Sequence, residues 1–111
     1  MELAKDRNGY YVNLTLEEAR SGHRPSVDVL FESAVRYPEL DRHAVIMTGM
    51  GSDGAKGMKA LRDSGARTTI AESEQTCVVY GMPRSAVEIG AVTDVLPLPR
   101  IAGFLANALG K

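Results

Sequence analysis

The stretch "MTGMGSDGAKG", residues 47–57, holds the residue types whose spacing most suggests chemistry. Gly49, Gly51 and Gly54 fit the G-x-G-x-x-G spacing of a dinucleotide-binding turn, in which a pyrophosphate rests on the N-terminus of the next helix. Glu72 follows at roughly the 20-residue interval at which a ribose-binding acid is expected. Asp53 stands against that reading. It puts a full negative charge where the loop would wrap phosphate, and like charges about 4 Å apart repel by ~4 kcal/mol at an effective dielectric of about 20. Lys56 lies too far into the helix to offset it.

Read the other way, the glycines let the chain turn sharply at the carboxyl end of a strand and present Asp53 as an oriented carboxylate. A helix N-terminus beside it favours the anion. Such a group is what a catalytic histidine needs on its far nitrogen, to fix the tautomer and stabilise the imidazolium. The simpler role for Asp53 is a cap on the following helix, worth ~1 kcal/mol, and the two roles are compatible.

The chain offers little for that carboxylate to orient. Ser52 adjoins it, but "MGSDG" lacks the first glycine of a G-x-S-x-G elbow. His23 and His43 are the only histidines; His43 precedes the strand, at the end away from the loop, and His23 sits in "GHRPS", where local hydrogen bonds are its expected use. No Cys/His cluster has metal-ligand spacing. Cys77, the single cysteine, lies between Thr76 and Val78 and reads as a small buried apolar residue. It allows no internal disulfide and fits a reducing compartment.

The elements that must position these residues follow an α/β order. "DRNGYYVNL" suggests a hairpin turning at Asn8-Gly9, with Tyr10, Val12 and Leu14 alternating after it. In "GHRPSVDVLFESAVRYPEL", Pro25 suits a first helical position. Val27, Leu30, Phe31, Ala34 and Val35 then form an apolar stripe, and Pro38 stops the helix. "HAVIMT" suits a strand covered on both faces. After the loop, Ala55, Met58 and Leu61 make the buried stripe of a helix, with Lys56, Lys59 and Arg62 facing water and Gly65 as its C-terminal cap. "RTTIAE" is the next strand, Pro83 to Gly90 a short helix, and "DVLPL" leads to a last helix that buries Ile101, Phe104, Leu105 and Ala108. These connections build a parallel sheet by right-handed crossovers.

At 111 residues, with 44% hydrophobic residues and a net charge of −1, the chain is expected to be one domain, residues 1–111, with enough apolar sequence for a core. The near-neutral charge carries no nucleic-acid footprint. "MELAKDRNGYY" lacks the apolar core of a signal peptide, and no run approaches the ~20 apolar residues of a membrane span. The expectation is a cytoplasmic protein without membrane insertion.

Three strings carry a family resemblance: "GHRPSVDVLFESA", "VIMTGMGSDGAKGMKALRDSGARTTIAESEQTCVVYGMPRSAVEIGAV" and "VLPL". Together, co-linear over nearly the whole chain, they resemble the carboxyl-terminal part of the catalytic domain of chemotaxis receptor methylesterases of the CheB type. The resemblance implies part of a doubly wound, three-layer α/β/α fold with a mostly parallel sheet, here following an N-terminal hairpin. It also implies hydrolysis of γ-glutamyl methyl esters on the cytoplasmic region of methylated chemoreceptors, with methanol released. Some members deamidate receptor glutamines as well. No cofactor is implied.

The family uses a Ser-His-Asp triad whose aspartate falls on Asp53, with Met50 and Gly51 beside the site. Its serine and histidine precede the region that this chain resembles and have no counterpart here, and neither has the receiver domain that regulates many members. The chain is therefore expected to be inactive alone, as the acid-bearing part of an esterase. Its partner would be the missing N-terminal half of the domain, or a second copy through exposed sheet edges. A second class stays open: a non-catalytic module that keeps the fold and binds the receptor or another partner.

Overall fold

In a computed structural model, which describes residues 1–13 and 26–110, the chain opens with an antiparallel hairpin of β1 (Glu2–Asp6) and β2 (Gly9–Asn13). Asp6 pairs with Gly9, so Arg7 and Asn8 form the loop, one residue earlier than the Asn8-Gly9 turn expected from sequence. The cause is local: the Asn8 N–H donates to Asp6 Oδ1 at 2.8 Å, which sets the turn ahead of Gly9. The alternation in β2 buries nothing, since Tyr10, Tyr11 and Val12 are all exposed. Leu14, His23 and Pro25 lie outside the described residues.

The first helix, α1 (Val27–Val35), ends before Pro38 as expected, but its stripe is only half-buried. Its fully buried residues are Asp28 and Ser33. The reason is placement. α1 lies between β1 and the next helix rather than flat on the sheet, so its apolar side chains are shared between two neighbours. Ser33 Oγ accepts the Leu3 N–H at 2.7 Å and fastens the hairpin to this helix.

The sheet comprises β3 (His43–Ile46), β4 (Thr68–Glu72) and β5 (Asp94–Leu96), parallel and in that order. β4 is central and all five of its residues are buried. β3, at an edge, buries only Ala44 and Ile46, so it is covered less completely than its continuous apolar run suggested. β5 is an addition to the sequence reading, which took "DVLPL" as a lead-in to a helix. Three residues are too few to show a period, and the strand is held by partners, with the Thr93 N–H donating to the Thr69 carbonyl at 2.8 Å.

The crossovers are α2 (Ala55–Asp63) and α3 (Met82–Glu88), which pack on each other and on the sheet. Ala55, Met58 and Leu61 are buried as expected. Gly65, at φ +96°, ends α2 in a Schellman arrangement: Gly65 N–H donates to Arg62 O at 3.1 Å and Ala66 N–H to Leu61 O at 3.0 Å. Beyond α2, buried Arg42 ties the ends of two helices together, donating to Ala34 O at 3.3 Å, Ser64 Oγ at 2.8 Å and Ser64 O at 3.0 Å.

The last helix, α4 (Leu98–Leu109), buries Ile101 but leaves Phe104, Leu105 and Ala108 half-exposed, because its main contact with the sheet is at β4. A parallel sheet flanked by helices, with a hairpin ahead of it, is the α/β class read from sequence. Among the described residues no helix is long and apolar enough to cross a membrane.

Candidate functional site

Two loops meet at the carboxyl end of the sheet, where open α/β folds place their ligands. The first runs from the end of β3 to α2 and carries Met50, Gly51, Ser52 and Asp53. The second joins β4 to α3. They are zipped by backbone bonds: Gly49 N–H donates to Val79 O at 2.9 Å, and the Gly81 and Met82 N–H groups donate to Gly49 O at 3.0 and 2.8 Å. Only glycine fits at 81, since a Cβ there would stand 2.7 Å from Gly49 O and 2.9 Å from Gly51 N. Gly54 takes φ +96° to turn into α2, and a Cβ there would lie 2.8 Å from Ile46 Cδ1 and 2.9 Å from Val27 Cγ1. The glycines therefore serve close packing around Asp53.

Asp53 is 2% exposed, and its carboxylate is built into the protein rather than held out in a crevice. Oδ1 accepts from Ser26 Oγ at 2.8 Å and from Asp28 N–H at 3.0 Å, and Oδ2 accepts from Val27 N–H at 2.7 Å. These bonds from Ser26, Val27 and Asp28 fix the position of the carboxylate. The sequence reading put Asp53 beside the N-terminus of the helix that follows it. The helix it holds is α1, while the N-cap of α2 is Gly54, which makes no side-chain cap bond. Ser26, Val27 and Asp28 are the residues that sequence reasoning missed. Ser26 and Asp28 carry a recognisable helix-start signal, but nothing local points to an acid some 25 residues downstream as their partner.

The dinucleotide reading loses both its supports. The α2 donors that would hold phosphate are engaged, with Ala55 N–H on Ser52 O at 3.2 Å and Gly57 N–H on Asp28 Oδ1 at 2.7 Å. Glu72 is 2% exposed and faces inward. Its Oε1 accepts the Thr48 N–H at 3.0 Å and its Oε2 the Thr76 hydroxyl at 2.8 Å, so it braces the two loops instead of meeting a ribose.

Met50 and Gly51 stand at the rim, Met50 76% exposed and Gly51 at φ +89°. Ser52 and Lys56 line a cleft of about 270 Å³ with Asp28, Ser85 and Glu88. His43 is at the far end of β3, with Nδ1 2.8 Å from Thr68 Oγ1, and so is not brought to Asp53. Cys77 is half-buried with Sγ 3.7 Å from Glu72 O. Burial first, and then the charge of Glu72, push its thiol above the usual range, the opposite of an activated nucleophile.

Comparison with known proteins bears on the family and the fold of the chain as a whole. A family model described as CheB methylesterase matches residues 1–105. The chain is 51% identical over 111 residues to a protein-glutamate methylesterase/protein-glutamine glutaminase of Pseudomonas aeruginosa, covering all of this chain and 32% of that protein. With a like-named protein of Oleidesulfovibrio alaskensis it shares 52% identity over 106 residues, 96% of this chain and 30% of the other. The crystal structure of the Thermotoga maritima CheB methylesterase catalytic domain superposes with a TM-score of 0.90 at 36% identity, over 96% of this chain and 56% of that one. The chain thus spans about a third of the length of these curated relatives.

Proposed function

The chain belongs to the CheB methylesterase family, and from that premise we propose that it supplies the carboxylate-bearing part of a protein-glutamate methylesterase site. The observation that carries this reading is Asp53: a buried carboxylate held by Ser26, Val27 and Asp28 at the carboxyl end of a parallel sheet. In a Ser-His-Asp machine the acid must stay ionised and fixed while it orients an imidazole, and the hydroxyl then attacks the ester carbonyl. Serine and histidine come from sequence outside these 111 residues. Met50 and Gly51 flank the reacting ester, and the substrate is a γ-glutamyl methyl ester on a chemoreceptor, with methanol as the leaving group. Glutamine deamidation would use the same groups on an amide.

The complementing partner is the remaining part of a CheB catalytic domain. Three features support this. The chain covers 56% of such a domain. Both β3 and β5 are edges of the described sheet. The exposed side chains include Val95 on β5 and Leu98 and Leu109 on α4. Without that segment, open edges and apolar faces favour self-association.

The experiment measures ester hydrolysis on methylated receptor, and sedimentation, for the chain alone and mixed with the complementing segment. The chain alone is expected to self-associate and show no turnover, and the mixture to form a defined complex with activity. Turnover by the chain alone at a rate near that of a complete catalytic domain would overturn the proposal.

A further inference from the structure

Asp28 occupies the second position of α1, where an acidic side chain ordinarily serves its own helix start. Here it serves another helix. Asp28 is 3% exposed, and its Oδ1 accepts the Gly57 N–H, in the first turn of α2, at 2.7 Å. Its backbone N–H donates to Asp53 Oδ1 at 3.0 Å. Asp53 and Gly57 flank the start of α2, so one residue grips that turn at both ends: by its N–H on the Asp53 side chain and by its carboxylate on the Gly57 backbone.

The approach that permits this is specific to glycine. A Cβ on Gly57 would stand 2.8 Å from Phe31 Cβ and 2.9 Å from the Asp28 carbonyl oxygen. The two helix starts therefore touch backbone to backbone. The acid of each segment satisfies an N–H of the other that its own helix cannot pair.

We infer that Asp28 is a positioning residue for the Asp53 carboxylate, locking the α2 start against α1 so that Asp53 keeps one orientation. The inference rests on the reading of Asp53 as the acid of an esterase site. Asp28 touches no reacting group; it acts through Asp53.

The test uses this chain with Asp28→Ser, whose hydroxyl still suits a helix start but falls short of Gly57, and Asp28→Asn, which keeps an acceptor at Oδ1. Amide hydrogen exchange is read at Gly57, Val27 and residue 28, and the position of the Asp53 carboxyl ¹³C signal is recorded. In Asp28→Ser, exchange should accelerate about tenfold at Gly57, the effect of one ordinary hydrogen bond, and also at Val27 and residue 28, with a displaced Asp53 signal. Asp28→Asn should restore most of both. The inference falls if Asp28→Ser changes Gly57 alone, or if Asp28→Asn fails to restore the Asp53 signal.

In the completed enzyme, Asp28→Ser should lower kcat by about ten- to a hundredfold with KM little changed. Loss of activity in Asp53→Asn together with an unchanged Asp28→Ser would sink this inference and leave the functional reading standing. Full activity in Asp53→Asn would sink the functional reading instead, while the exchange data still report the coupling.

Discussion

Glu72 and Thr48 are joined across the mouth of the sheet, Oε1 of the buried carboxylate accepting the Thr48 N–H at 3.0 Å. The other oxygen takes the Thr76 hydroxyl at 2.8 Å, and Thr76 Oγ1 in turn accepts the Leu98 N–H of α4 at 2.9 Å. Thr48 completes the link through its own hydroxyl, which accepts the Val79 N–H at 2.9 Å. One acid thus holds together the ends of β3 and β4 and the start of α4.

Replacing Glu72 by Gln tests this clip and frees a reporter. The amide keeps an acceptor for Thr48 but offers a donor where Thr76 also donates, at a cost of about 1 kcal/mol in urea unfolding. Because burial and then the Glu72 charge raise the Cys77 thiol, removing the charge lowers its pKa part of the way. At mildly alkaline pH, Cys77 should therefore react severalfold faster with a small disulfide reagent. An unchanged or slower reaction would show that Glu72 does not act on the thiol.

Two helix glycines should respond in opposite directions to alanine. Gly103 in α4 has no atom within 4 Å of a would-be Cβ, so Gly103→Ala should stabilise the chain by about 1 kcal/mol through helix propensity. Gly57 gains the same propensity but drives a methyl into Phe31 and the Asp28 backbone, for a net loss of about 1–3 kcal/mol. Thermal melts of the two variants check the contrast; equal shifts would contradict the close approach of α1 and α2.

The hairpin should dock within a pH window. The Tyr10 hydroxyl donates to Glu39 Oε2 at 2.5 Å, with Lys5 3.7 Å from the same carboxylate. The Tyr10 hydrogen bond, followed by one from the backbone of Glu39, lowers the Glu39 carboxyl below its ordinary 4.5. A depressed acid contributes stability above its unfolded value and loses it as pH falls through the folded one, so this tie weakens in acid below 4.5. The same bond raises Tyr10 above its ordinary 10.0, so its contribution is complete below that value and is lost as pH rises through the raised one. NMR signals of the Tyr10 ring should report both steps, and Glu39→Gln should abolish the acid one. A Tyr10 signal that stays flat as pH falls through 4.5 and on into strong acid would rule out the tie.

Period and punctuation in the sequence made much of this fold legible. The Ala55–Met58–Leu61 stripe, the Gly65 cap and the presence of a strand at β4 are each dictated within a few residues, so each could be read locally. β5 could not be, because a three-residue edge strand exists through its pairing with β4. Nor could the hairpin's lack of a buried face, which depends on β1 rather than β2 meeting α1.

At the site, charge logic singled out Asp53 but assigned it to the wrong helix. A carboxylate beside α2 that caps α1 is a tertiary relationship, and so is the reach of Asp28 to Gly57. Arg42 was missed for the same reason, since its partners Ala34 and Ser64 lie on two different elements.

The central claim is that Asp53 serves as the acid of a methylesterase site. The most direct measurement is ester hydrolysis by the chain completed with the remaining part of a CheB catalytic domain, as parent and as Asp53→Asn, with circular dichroism confirming the fold. The account predicts that kcat falls by about 10⁴-fold while KM stays within about threefold, as when the acid of a hydrolytic triad is neutralised. A folded Asp53→Asn enzyme with kcat within about tenfold of the parent would contradict it.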